Sequence, residues 1–236
     1  MNLSVIIPAF NEERYLPATL AALRAASSGM PGELIVVDNQ SSDATRDIAA
    51  RHGAVVVPES VHNIGKVKNT GAGAAAGDIL VFIDADTLVP PTLLARIAEV
   101  MARENCLGGA VAVAYTEFRR PWMKWYLMGW GFWGRVFNMK QGAAQFCRKD
   151  AFRQVGGYDE TIYMGEDIEF YWRLSKHARR VHGSLHFIQA PKVLSSSRRF
   201  DAMSVWRVLL LTHPIMIRLN WKRASLWKDW YDVPVR

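Results

Sequence analysis

Cysteine is scarce in this chain, and so is any long apolar run. Cys106 and Cys147 are the only cysteines in 236 residues; they lie far apart, with no second ligand at metal-binding spacing. That excludes a disulfide framework, argues against structural zinc, and leaves two core thiols in a reducing compartment. No uninterrupted apolar stretch reaches the roughly 18 to 20 residues that a spanning helix needs. The longest candidate, 205–219, is broken by Arg207, His213, Pro214 and Arg218. The N-terminal run Leu3-Ser4-Val5-Ile6-Ile7-Pro8 has no basic leader and stops at proline, so no secretory signal is expected. Gly-x-Gly-x-x-Gly is missing after that run, which argues against a dinucleotide-binding version of an α/β fold. Acid is in deficit: 22 Asp and Glu against 29 Lys and Arg give a formal charge of +7. An anionic partner is therefore expected, whether nucleic acid, phosphorylated small molecule or acidic membrane surface.

Hydrophobic residues make up 50% of the sequence, ample for a sizeable core. In the first hundred residues strand and helix signals alternate at short range, the pattern of parallel strands with crossover helices. Strands are expected at 4–7, 33–37, 54–57 and 79–83. Between them come a helix with Leu16, Leu20 and Leu23 on one face, a helix over 44–51, and a small-residue helix over 66–76. Three of the four strands run into acid-bearing loops, Asn11-Glu12-Glu13, Asp38-Asn39 and Asp84-Ala85-Asp86. In an open α/β sheet the carboxyl ends of the strands face one crevice, so these loops are expected to share it. The Asp84-Ala85-Asp86 stretch suits a hard divalent cation already partly coordinated by phosphate, although an Asp-rich turn capping the next helix would look the same.

After a helix over 92–101 and an apolar segment over 107–114 the composition changes. Trp122, Trp125, Tyr126, Trp130, Phe132, Trp133 and Phe137 are interleaved with Arg119, Arg120, Lys124, Arg135 and Lys140. Such a mixture suits a membrane interface, a stacking surface for sugars, a nucleic-acid platform or a core-packing helix pair with long cations reaching out to water. A strand over 145–148, a short helix over 150–155 and a helix opening at Gly165-Glu166-Asp167 and running to about residue 177 follow. The tail carries Arg198-Arg199 and an amphipathic segment over 203–219.

Six segments in this order, Val5 to Glu13, Val36 to Asp43, Asn63-Ile64-Gly65, Asp84-Ala85-Asp86, Gly156 to Glu160 and Gly165-Glu166-Asp167, resemble the family 2 glycosyltransferases of the GT-A fold. The resemblance covers roughly residues 3 to 200. It implies a Rossmann-like, mostly parallel sheet flanked by helices, with a mixed acceptor-side half and C-terminal amphipathic helices. The expected organisation is a single domain: a nucleotide-binding half over 1–103, an acceptor half over 104–200 with an aromatic insert at 118–139, and an amphipathic tail over 201–236.

The family implies inverting transfer of a sugar from a nucleoside diphosphate donor with Mg2+ or Mn2+. Carried over position by position, Pro8, Phe10 and Glu12 would line the nucleotide pocket and Asp38 would meet the base. Asp84 would sit near the ribose or donor sugar and Asp86 would ligate the metal. Asp167 would be the general base, with Glu166 orienting it or binding the acceptor, because adjacent helical residues point about 100° apart. Lys66 and Asn69 would contact the nucleotide, and Arg198 and Arg199 the diphosphate.

Two departures bear on the expectation. Asn39 stands where a second Asp is usual, leaving base specificity open, and the Gln-x-x-Arg-Trp motif of processive synthases is missing, with Ser196 and Phe200 at its ends. Transfer of one sugar is thus favoured over polymer synthesis. The aromatic and basic segments keep an amphipathic or lipid-linked acceptor and peripheral contact with the cytoplasmic membrane face in view. Nucleic acid is not expected as a partner, because the cations are spread among tryptophans rather than gathered on one face. The alternatives are nucleotidyl transfer, disfavoured by acid in the loop after the first strand, and a catalytically inert nucleotide-sugar or membrane scaffold.

Overall fold

The computed structural model describes residues 1–30, 32–115, 122–140, 142–198, 205–206, 208 and 213–226. Its first part alternates as the pattern predicts: β1 (Leu3–Ala9), α1 (Leu16–Ala26), β2 (Gly32–Asp38), α2 (Thr45–Arg51), β3 (Val55–Pro58), α3 (Ile64–Ala74), β4 (Ile79–Ile83), β5 (Thr87–Leu88) and α4 (Leu93–Met101). Then come β6 (Cys106–Tyr115), α5 (Trp122–Val136), β7 (Ala144–Arg148), α6 (Lys149–Gln154), α7 (Glu166–Arg180), β8 (Ser184–Ser195) and α8 (Pro214–Asn220).

The strands form one sheet in the order β3-β2-β1-β4-β7-β6-β8-β5. β1 to β4 pair in parallel, whereas β7 is antiparallel to both β4 and β6. β6 and β8 run parallel, and β5 is antiparallel to β8. The sheet is thus parallel from β3 through β4 and mixed beyond it, as the resemblance implies. β8 and β5 carry no clear strand signal in the sequence. β8 alternates poorly, with much of its length exposed, and β5 is two residues long.

Both faces of the sheet are covered, which is why β1 and β4 read as continuous apolar runs rather than alternating ones. Val5, Ile7, Val81 and Ile83 pack under Leu16, Leu20, Leu23, Leu93 and Ile97 from α1 and α4. Ile6, Val37, Leu80 and Phe82 point the other way, against Val67 and Ala72 of α3 and Phe152, Phe170 and Leu174. Pro17 is tolerated in the first turn of α1, where its missing N–H would have had no helical partner. Asn63 caps α3, its Oδ1 accepting from Lys66 N–H at 2.9 Å, so that helix opens two residues earlier than its periodicity suggests.

Gly71 lets α3 lie close on β1 and β2. A Cβ there would stand 2.4 Å from Ile6 Cγ2 and 2.8 Å from Val37 Cγ2, both in the packed core. Gly71→Ala gains up to about 1 kcal/mol of helix propensity but incurs about 1–3 kcal/mol of overpacking. We expect a net loss of stability, read in a thermal melt as a Tm roughly 2–8 °C below the parent.

Candidate functional site

The acid-bearing strand ends meet the start of α7 around a cavity of about 280 Å3. Pro8, Phe10, Glu12, Asp84 and Asp86 line one side of it and Glu166 and Asp167 another. Seven of the residues singled out in the sequence, from Pro8 to Asp167, are thereby brought together. The loop carrying Asp84 and Asp86 is fixed from both sides: Thr19 Oγ1 on α1 donates to Ala85 O at 2.8 Å, and Asp84 N–H reaches Ala143 O at 3.3 Å.

Asp167 sits in the first turn of α7, behind Gly165, whose φ of +80° turns the chain into the helix. Gln145 Nε2 donates to Asp167 O at 3.1 Å and Ile168 N–H donates to its Oδ1 at 2.9 Å. Gly142 makes room for the side chain, since a Cβ there would meet Asp167 Cβ at 2.5 Å and Oδ2 at 2.7 Å. The carboxyl faces the cavity on one side and protein on the others. Loss of solvent, with the neighbouring Glu166 charge, pushes it up to about 7; Lys68 and the Ile168 N–H act in the opposite sense.

Lys68 is the residue the motifs did not single out. It is 2% exposed, yet its Nζ lies 2.8 Å from Glu166 Oε1 and 5.0 Å from the centroid of the Tyr158 ring. Burial opposes its charge, but Glu166, Tyr158, Asp84 and Asp167 together outweigh that and hold the ammonium above its ordinary value. Glu166, although it lines the cavity, is therefore engaged by Lys68. Only the partner 98 residues away reveals this, and sequence spacing carries no signal of it.

Arg198 is 9% exposed in its side chain and pairs with two of the cavity carboxylates. Its Nε is 3.0 Å from Asp86 Oδ2, one terminal nitrogen donates to Glu12 Oε1, and the guanidinium lies 4.2 Å from the Tyr15 ring centroid. The cation expected near the diphosphate thus rests on the two acids that face it. Arg199 lies outside the described residues.

Three other expected contacts are not brought to the cavity wall. Asp38 is buried and accepts from Ser41 N–H at 3.2 Å, while the next residue, Asn39, lines the cavity instead. Asn39 Nδ2 is already committed to Glu59 O at 2.8 Å and Val61 O at 3.0 Å. Lys66 pairs with Glu160 at 3.5 Å, on the surface side of α3. Asn69 pins the glycine turn, donating to Tyr158 O at 3.0 Å and accepting from Tyr158 N–H at 2.8 Å. The cavity also has an apolar wall that the motifs gave no hint of, built from Leu127, Trp130, Met164 and Ile217.

Among the described residues no group of three or more His, Cys, Asp or Glu side chains could hold a metal unaided. What is present, two Asp side chains of hard oxygen character on one loop, fits a divalent cation whose remaining ligands come from a bound phosphate and water.

The family model for glycosyl transferase family 2 matches residues 4–156. The chain belongs to glycosyltransferase family 2. It is 45% identical over 83 residues to an uncharacterized glycosyltransferase of Mycobacterium tuberculosis, covering 35% of this chain and 36% of that protein. It is 36% identical over 124 residues to the undecaprenyl-phosphate 4-deoxy-4-formamido-L-arabinose transferase of Pectobacterium carotovorum, covering 47% of this chain and 36% of that one. The chain thus spans about a third of the length of these curated relatives. Its fold is similar to glucosyl-3-phosphoglycerate synthase from Mycobacterium tuberculosis, solved with Mn2+, UDP and glucosyl-3-phosphoglycerate, with a TM-score of 0.67 at 18% identity over 93% of this chain and 78% of that one. The GT-A type of fold expected from the sequence is therefore present.

The position of Asp167 generates a test by linkage. Its folded value near 7 lies above the unfolded value of about 3.9, so the protonated carboxyl contributes stability that is complete below about pH 4 and lost as pH rises through about 7. In calorimetric scans, Asp167→Asn should melt several degrees above the parent at pH 8, and the difference should shrink steadily toward pH 4.

Proposed function

We propose that this chain transfers one sugar, with inversion, from a nucleoside diphosphate donor to the hydroxyl or phosphate of an amphipathic or lipid-linked acceptor, assisted by Mg2+ or Mn2+. The observation that carries this reading is the convergence of Asp84 and Asp86 from the end of β4 with Asp167 from α7 on one cavity. We read residues 1–103 as the half that holds the nucleotide and 104–200 as the half that holds the acceptor, within a single domain.

The donor's nucleotide would lie along Pro8, Phe10, Glu12 and Asn39. We read Asn39 rather than Asp38 as the polar residue closest to the base, because Asn39 lines the cavity and Asp38 does not. A divalent cation held by Asp86, with Asp84 beside it, would supply positive charge against the departing diphosphate. Arg198 is placed to add to that charge: its contacts with Asp86 and Glu12 give a guanidinium fork already at the carboxylates that the diphosphate would approach. Asp167 then takes the proton of the attacking hydroxyl on Oδ2, since Oδ1 accepts from Ile168 N–H. A single base opposite the leaving group makes direct displacement, and hence inversion, the simplest course. A carboxyl near 7 is also matched to this task, being substantially ionised at neutral pH yet basic enough to accept a proton.

The test is transfer from a panel of nucleotide sugars with and without Mn2+. Asp86→Ala should lower turnover by about a hundredfold or more, as for loss of a group stabilising a developing charge. Asp167→Asn should abolish transfer while leaving donor binding by calorimetry intact, and the parent's kcat/KM should rise with pH through about 7. Equal, metal-independent turnover by parent and Asp86→Ala would overturn the reading. Donor binding without turnover on any acceptor would favour the inert scaffold.

A further inference from the structure

The helices that form the apolar wall of the cavity have a second face on which, among the described residues, large apolar side chains stand exposed. α5 turns Met123 into the core and Leu127 and Trp130 toward the cavity. Its Trp125, Met128, Phe132 and Val136, spaced three, four and four residues apart, form one outward stripe. Trp125 is 73% exposed and Phe132 60%. α8 repeats the arrangement at shorter length, with Ile217 buried against Gly165 while Ile215 and Leu219 face out.

We propose that the outward faces of α5 and α8 dock on the surface of an anionic lipid bilayer, so that the cavity wall lies about one helix diameter, ~10 Å, from the lipid. The inference rests on the transferase reading for what the surface serves: an acceptor whose apolar part stays in the bilayer while its polar end reaches Asp167.

Charge selects this occupant. Every charged residue in 122–140 and 213–226 is Lys or Arg. Arg135, Arg218, Lys222 and Arg223 are exposed, and Arg218 lies 4.1 Å from the Trp221 ring centroid. Apolar rings flanked by a majority of cations, of which Lys222 lies 3.4 Å from Asp159 Oδ2 and the arginines carry the excess charge, are matched to a headgroup region carrying negative charge. A second copy of the chain would bring the same cations face to face, because a two-fold interface pairs a patch with itself. Among the described residues no helix is long and apolar enough to cross a membrane, so α5 and α8 would lie on the bilayer rather than through it. Both are anchored to the body of the protein: Trp172 Nε1 donates to Phe137 O at 3.0 Å just beyond α5, and Tyr163 N–H donates to Trp221 O at 2.7 Å just beyond α8.

The experiment is flotation of the full chain, without nucleotide, with vesicles of phosphatidylcholine alone or mixed with phosphatidylglycerol at low salt. The parent should float with the anionic vesicles only and be released by about 0.5 M salt. The W125S/F132S variant should bind at least about tenfold more weakly, having lost two large apolar anchors. R135E/R223E, which leaves the apolar stripe intact, should lose a similar factor. A parent that stays at the bottom of the gradient, variants that float as well as the parent, or a dimer in solution that W125S/F132S dissociates would each overturn the proposal. Calorimetry with a nucleoside diphosphate and Mn2+ reads the other claim separately. Protein that floats but binds no nucleotide keeps this surface and loses the transferase reading; protein that binds nucleotide but does not float loses the surface alone.

Discussion

One buried ammonium holds this site together. Lys68 on α3 and Glu166 on α7 are both almost removed from water, and taking two charges out of water costs several kcal/mol each before their attraction is counted. A pair of that kind is a weak source of stability. What it does supply is position, because neither group can leave the other without a heavy penalty. The first turn of α7 is thereby fixed on α3, and α3 is fixed on the parallel sheet by the close approach at Gly71. Asp167, the next residue along α7, then lines the cavity beside both of them. Asn69, the next residue along α3, holds the Tyr158 turn beneath it.

From that joint the chemistry of the cavity follows. The parallel half delivers carboxylates at the ends of its strands, as the geometry of an open α/β sheet requires, and the mixed half delivers two more, Glu166 and Asp167, from a helix N-terminus. Like charges gathered in one cavity repel, and each has been given a different answer. Glu166 is neutralised by Lys68, Glu12 and Asp86 share Arg198, and Asp167 is held near neutrality by burial beside Glu166. Among the described residues Asp167 has no ion-pair partner of its own, and its raised proton affinity is the condition a general base needs.

Much of this was legible in the sequence. The apolar runs of β1, β2 and β4 are buried on both faces and therefore continuous, so their ends, and the acids on them, could be read directly. The start of α7 was legible from Gly165 and the acids that follow it. The mixed half was harder: β8 pairs through its backbone with half its side chains in solvent, and β5 is too short to carry a pattern. Nothing in the sequence sets Lys68 apart, because its partner lies 98 residues away. Which of Asp38 and Asn39 faces the cavity is decided by the last turn of the strand, and no periodicity reaches that far. The aromatic insert was visible as composition, but its division into a cavity-lining face and an outward stripe depends on how α5 lies on the rest of the fold.

The role of the Lys68–Glu166 pair is tested most directly by a double-mutant cycle on unfolding free energy, using Lys68→Met, Glu166→Gln and the two combined. If the pair is what joins α3 to α7, each single substitution leaves a buried partner uncompensated and should cost about 3–5 kcal/mol. The double variant should then cost no more than either single one, a coupling of at least about 3 kcal/mol. Losses that simply add in the double variant would contradict the account.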